Sequence, residues 1–322
     1  MSEMIPTRDG FGRELVELSK DNEKIVVVSA DLEDATRAEY FKDAYPERFF
    51  NVGIAEQDMV GMAAGLSLQG FIVFVNSFAV FLTNRAYDMI RLDVCYNNAN
   101  VKMIASHAGV TVGEDGASAQ CLEDFSLMRI LPNLKVVCPV DATEARKATR
   151  AFVEEVGPMY MRTSRAAFPV ITKEDDPFVI GKANVMREGG DATIIACGIE
   201  VSESLKAAEI LEKEKINVKV VNMHTIKPID TACIIQSAKE TGAIVTAEEH
   251  QMIGGLGSAV AEVVVKNCLV PMAMVGVNDE FGQSGTPDEL LKAFHLKDVD
   301  IAQAVRDCLK RKKGNTKVRE AK

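Results

Sequence analysis

Along most of the chain, short apolar runs alternate with longer segments whose apolar positions suit an amphipathic helix. The runs "KIVVVSA", "RFFNV", "FIVFVN", "VKMIAS", "LKVVCP" and "MYMRTS" come first, and "ATIIAC", "VKVVNM", "AIVTAE" and "MAMVGV" follow. Continuous apolar runs between helix-like stretches predict parallel strands buried on both faces, so the fold class is α/β. The rhythm breaks at "RAAFPVITKEDDPFVIGKANVMREGGD", where Pro169, Asp175, Asp176, Pro177 and the Gly189-Gly190-Asp191 turn intervene. This break predicts two domains, residues 1–178 and 179–322.

Open parallel sheets gather ligands outside the carboxyl ends of their strands. Distinctive side chains recur at those positions: Asp31 after the first run, Glu56 after the second, Phe78 and Phe81 after the third, His107 after the fourth, and Ser164-Arg165 after the sixth. Five segments converging on one edge of the first domain point to an active site. Glu56 stands out within "NVGIAEQDMVGMAAGL", a stretch of small and apolar residues whose Gly61 and Gly65 suggest close backbone approach. At the first turn of a helix, it either offsets the macrodipole or does chemistry, and its small apolar neighbours would desolvate it. The second domain offers less: His224, Asn278-Asp279, and "EEHQMIGGLGS". Its "GGLG" fits neither G-x-G-x-x-G nor a P-loop and reads as a tight loop entering a helix.

Charge and cysteine content narrow the function classes. A net charge of -10 and a pI near 5.1 argue against a nucleic-acid or membrane surface, and the basic tail "KRKKGNTKVREAK" reads as a solvated, frayed end. Seven cysteines without a C-x-x-C pair suit a reduced, cytoplasmic protein. No leader is visible, and "GFIVFVNSFAVFL" is too short and polar to span a bilayer.

The stretch "NVGIAEQDMVGMAAGL", followed by "SFAVFLTNRAYDMIR" and "SHAGVTVGEDGASAQCLEDFSLMRILPN", resembles the carboxyl-terminal half of transketolase. The chain is similar to the second subunit of a split, two-chain transketolase, from about Thr7 to about residue 300. The resemblance implies two parallel-type α/β domains, a thiamine-diphosphate pyrimidine-binding domain followed by a transketolase C-terminal domain. It implies that Glu56 is catalytic and hydrogen-bonds N1′ of the cofactor's aminopyrimidine, while Phe78 and Phe81 line the pocket for that ring. His107 is implied as catalytic and as reaching the substrate's distal end. Asp115, in "GEDG", is implied to hold a substrate hydroxyl, and Arg8 and Arg165 to bind a sugar phosphate.

Departures from the family pattern matter too. "GASAQ" puts Ala119 where a second substrate-facing histidine stands in typical members, and Ala35 takes the place of a serine that contacts phosphate. Glu33 and Asp34 beside it add charge that opposes anion binding. The family's G-D-G…Asn motif for the metal diphosphate is missing, so no metal ligand is assigned to this chain. The resemblance therefore implies an N-terminal partner subunit that holds the diphosphate with Mg²⁺ or Ca²⁺, in an α2β2 heterotetramer with active sites between chains. The expected activity is transfer of a two-carbon ketol unit between sugars or sugar phosphates. The alternatives are the β subunit of a 2-oxo acid dehydrogenase and a noncatalytic assembly subunit.

Overall fold

A computed structural model of the chain describes residues 3–320. All ten apolar runs are strands. In chain order the strands are Met4–Pro6 (β1), Ile25–Ser29 (β2), Phe49–Asn51 (β3), Ile72–Phe78 (β4), Val101–Ser106 (β5), Lys135–Val137 (β6), Met159–Arg162 (β7), Ala167–Pro169 (β8), Asn184–Arg187 (β9), Ala192–Ala196 (β10), Val218–Asn222 (β11), Thr225–Lys227 (β12), Ile244–Gln251 (β13) and Met272–Val277 (β14). They build a seven-stranded sheet ordered β12-β6-β7-β5-β4-β2-β3, a five-stranded sheet ordered β14-β13-β10-β11-β9, and a small β1-β8 pair.

Every pairing between strands from the apolar runs is parallel, as continuous burial demands. The four remaining strands, β1, β8, β9 and β12, all pair antiparallel at edges. They are too short to announce themselves by period. β12 is the informative one, because it belongs to the second half of the sequence yet extends the first sheet through β6. The adjacent amide of Cys138 donates to the His224 carbonyl at 2.8 Å, which continues that seam.

Helices cover both faces of each sheet. On one face of the first sheet, Phe11 and Leu15 from the Thr7–Leu18 helix and Phe152 from the Ala142–Glu154 helix pack on Val27, Phe74 and Ile104. Gly10 lets these two helices cross closely, since a Cβ there would collide with the Ala142 carbonyl. On the other face, Met59, Val60 and Ala63 of the Glu56–Leu68 helix join a core that runs on to Ile195, Val221 and Val260 of the second half. One apolar cluster thus joins the two sheets. The Asp298–Glu320 helix carries the backbone of the basic tail, and Ala321 and Lys322 lie outside the described residues. Among the described residues, no helix is long and apolar enough to cross a membrane.

β2 has β3 on one side and β4 on the other, so the chain reverses its direction of progress across the sheet there. Such a switch point leaves a crevice outside the carboxyl ends of the strands. The frame around it is held partly by Asp141, which is fully buried. Its Oδ1 accepts from the Glu144 amide at 2.8 Å and caps the Ala142–Glu154 helix, while Oδ2 accepts from the amides of Ile171 and Thr172 at 2.7 and 2.6 Å. An Asp141→Ala variant strands several buried donors at once and is expected to lose roughly 3 kcal/mol of unfolding free energy. Urea denaturation measures this, and a loss below about 1 kcal/mol would contradict the proposed anchoring.

Candidate active site

Glu56 opens the Glu56–Leu68 helix and is 4% exposed. A carboxylate at a helix N-terminus meets unpaired amides and the positive end of the helix dipole. Its principal partner is one that the sequence reading did not identify: Arg85 Nη1 donates to Glu56 Oε1 at 2.9 Å. The Arg85 guanidinium also lies 4.1 Å from the centre of the Phe81 ring. Both residues belong to the π-helical turn Phe81–Arg85, and a spacing of four puts them on neighbouring positions of one face. Gln57 Nε2 donates to the Arg85 carbonyl at 3.0 Å and fixes its main chain.

From Phe81 a stack of planar groups runs along the crevice. Phe81 stacks on Phe78 with ring centres 5.5 Å apart and planes 15° from parallel, and Phe78 stacks on His107 at 3.8 Å and 14°. His107 follows β5 directly and sits at φ +59°, in the left-handed region. Its Nδ1 lies 2.9 Å from Ser106 Oγ and its Nε2 lies 3.5 Å from Arg8 Nη1. A guanidinium can only donate, so Nε2 accepts and the ring hydrogen sits on Nδ1, directed at Ser106. Burial, followed by the charges of Arg8, Arg165 and Arg37, pushes the His107 pKa down to about 3. The imidazole is therefore neutral near pH 7.

The cationic end is assembled from three separate segments of the chain. Arg8 lies in the first turn of the Thr7–Leu18 helix, and its Nη1 donates to the Ala35 carbonyl at 2.5 Å while its buried Nε has no partner among the described residues. The Thr7 amide donates to Ser164 Oγ at 3.0 Å and the Ser164 amide to Thr7 Oγ1 at 2.7 Å, a reciprocal pair that brings Arg8 toward the loop after β7. From that loop, Arg165 Nη1 donates to the Val112 carbonyl at 2.6 Å and to Asp115 Oδ1 at 3.1 Å. Arg37, another residue the sequence reading missed, is held by Asp9 at 2.6 Å. Burial and the Arg37 charge together lower the Arg8 pKa. Glu33, expected to oppose an anion, is paired to Lys42 at 2.7 Å.

Arg8, Glu56, Phe78, Phe81, His107, Asp115 and Arg165 thus form one connected edge. Asp31 stands apart from this stack, with its amide donating to Asn51 Oδ1 at 3.1 Å. His224 sits at the seam between the halves, its ring 4.3 Å from that of Phe178, and burial holds its pKa down at about 4. At "GGLG", the helix start already holds a carboxylate: Glu248 accepts from the amides of Leu256 and Gly257 at 2.6 and 2.7 Å. Two amides of that helix start are thereby already engaged, which leaves less of it to meet a phosphate. Arg85 was detectable in principle, as a cation four residues beyond a candidate pocket aromatic. Arg37 and Ser106 carry no comparable signal.

Residues 3–170 match the family described as "Transketolase, pyrimidine binding domain", and residues 181–301 match "Transketolase, C-terminal domain". A Methanocaldococcus jannaschii chain that bears the name of a transketolase C-terminal section is 46% identical over 307 residues, covering 94% of this chain and 96% of the relative. The 6-deoxy-6-sulfo-D-fructose transketolase subunit of Clostridium sp. (strain MSTE9) is 42% identical over 305 residues, covering 95% of each. A solved structure described as "Split gene transketolase, inactive beta4 tetramer" superposes with a TM-score of 0.88 at 46% identity, over 96% of this chain and 99% of that one. With both domains matched and relatives of its own length, the chain belongs to the transketolase family, whose enzymes depend on thiamine diphosphate, and is a subunit of a transketolase-type enzyme.

Proposed function

We propose that this chain supplies the pyrimidine side of the active site in a two-chain transketolase that moves a two-carbon ketol unit from a ketose to an aldose. The observation that carries the reading is the continuous contact from Glu56 through Phe81 and Phe78 to His107. The recess already accepts a flat N–H donor, the Arg85 guanidinium, between a buried carboxylate and an aromatic face, and an aminopyrimidine is a flat N–H donor of that kind. When bound, thiamine diphosphate supplies the electron sink that lets the bond beside a ketose carbonyl break. Glu56 holds a proton at the ring's N1′, and Phe78 and Phe81 orient the ring and exclude water. The division near residue 178 separates this pyrimidine-binding part from the carboxyl-terminal part.

Arg8, His107 and Arg165 form the substrate end, with Asp115 accepting from a sugar hydroxyl. Guanidiniums around a neutral imidazole favour an anionic terminus. The phosphate of a pentose-phosphate sugar or the sulfonate of a sugar such as 6-deoxy-6-sulfo-D-fructose both fit that chemistry, and Arg37 adds cationic charge where Ala35 and Ala119 remove polar contacts. An N-terminal partner subunit holds the diphosphate with Mg²⁺ or Ca²⁺ in an α2β2 assembly. In support of a docking face, a side chain added at Gly61 or Gly65 would meet nothing within 4 Å among the described residues, and Ile54, just before the same helix, is 76% exposed. All seven cysteines are free, in keeping with a cytoplasmic location.

Calorimetric titration of thiamine diphosphate with Mg²⁺ is expected to give tight binding to the complex with the partner and none to this chain alone; tight binding by the lone chain would refute the shared site. In the complex, Glu56→Ala is expected to lower turnover by at least about 100-fold, and wild-type turnover would remove its assigned role.

The histidines add a pH dependence. The unfolded chain binds protons below pH 6.5, whereas folded His107 and His224 resist them down to about 3 and about 4. Their contribution to stability is therefore present above pH 6.5 and is lost as pH falls toward those values. Urea unfolding across pH 7 to 4.5 is expected to show this loss, and His107→Asn to flatten it. An unchanged slope in that variant would mean that His107 is protonated in the folded chain.

A further inference from the structure

We infer that Arg85 is a placeholder for the aminopyrimidine, occupying its site in the unassembled chain and swinging outward to admit it. This rests on the reading of Glu56 as the ring's partner. Two contacts define the placeholder. The guanidinium is planar, donates an N–H to Glu56 Oε1 at 2.9 Å, and lies 4.1 Å over Phe81. An aminopyrimidine seated on Glu56 and Phe81 would need the same recess between the carboxylate and the ring, whose other neighbour is Phe78, so the two occupants exclude each other.

The pair is built to be broken. Glu56's side chain is 5% exposed, but Arg85's is 49% exposed, so the cation reaches in from solvent and has somewhere to go. Half-exposed ion pairs and open cation–π contacts are individually weak. The main chain does not have to move, because Gln57 grips the Arg85 carbonyl rather than its side chain. Without Arg85, the free chain would keep a buried carboxylate with no counter-ion, a costly state. Arg85 therefore neutralises Glu56 until a ligand replaces it, and the apparent cofactor affinity is reduced by the fraction of chains in which the arginine is seated.

The test is calorimetry of thiamine diphosphate with Mg²⁺ on the complex with the partner, for wild type, Arg85→Ala, Arg85→Lys, Glu56→Gln and the Glu56→Gln/Arg85→Ala pair. Arg85→Ala is expected to bind about threefold to tenfold tighter and to associate faster, with Arg85→Lys in between because it keeps the charge and loses the flat face. In the Glu56→Gln background the gain from Arg85→Ala is expected to shrink, as coupled groups require. Equal or weaker binding by both Arg85 variants, with Glu56→Gln still impairing affinity, would overturn the placeholder and leave the Glu56 assignment standing. If Glu56→Gln binds as wild type does, the Glu56 assignment fails and the placeholder falls with it.

Discussion

A buried guanidinium, that of Arg162, ties the first sheet to the second. Arg162 ends β7 of the first sheet and is 6% exposed, and its Nη2 donates to the Glu249 carbonyl on β13 of the second sheet at 2.7 Å. Its Nη1 lies 3.6 Å from Asp124 Oδ1, and its head lies 4.7 Å over the Phe125 ring. The same carboxylate accepts from Tyr160 Oη at 2.7 Å, and His250 stacks on the other aromatic partner, Phe125, at 5.0 Å. The carboxylates of Asp124 and Glu249 keep Arg162 charged despite its burial. A cation so deep is tolerated only where its neighbours replace the lost water. The node therefore constrains how the sheets meet.

That constraint reaches the candidate site. The Glu249 side chain turns back to the first half, where its Oε1 accepts from the Thr111 amide at 2.5 Å. Gly109, at φ +84°, passes so close to this carboxyl group that a Cβ would overlap it. The loop that begins at His107 is thus moulded by a residue of the second half. From sequence alone that half looked structural, with its chemistry-bearing residues few and scattered. Residues of that half shape the loop that carries His107.

Legibility in the sequence followed burial and length. Ten apolar runs were long enough to identify themselves, and parallel pairing followed from their being apolar on both faces. β1, β8, β9 and β12 are three or four residues long, and a run that short has no period to read. β12 was hidden for a second reason: nothing local says that Thr225–Lys227 leaves its own half to pair with β6. Among site residues, those at strand ends were readable because the rule of carboxyl ends concerns backbone direction. The partners were not, since Arg85 on Glu56 and Asp9 on Arg37 are choices made by folded geometry. "GGLG" illustrates the converse: Glu248 occupies the helix start, and a Cβ at Gly255 would overlap that carboxyl group.

Net charge was a poor guide to the field inside the crevice. The chain carries -10 overall, yet His107 is surrounded by Arg8, Arg37 and Arg165 and by burial that together deny it a proton. Screening in water confines surface carboxylates to their own neighbourhood, while groups in a desolvated cleft feel one another strongly. Glu33 shows the same locality, because Lys42 answers it before it can act on Arg8. The two ends of the crevice consequently differ in kind. At one, a buried carboxylate is matched by a half-exposed cation; at the other, cations frame a neutral ring. This asymmetry of charge, rather than the acidic surface, gives the crevice its direction.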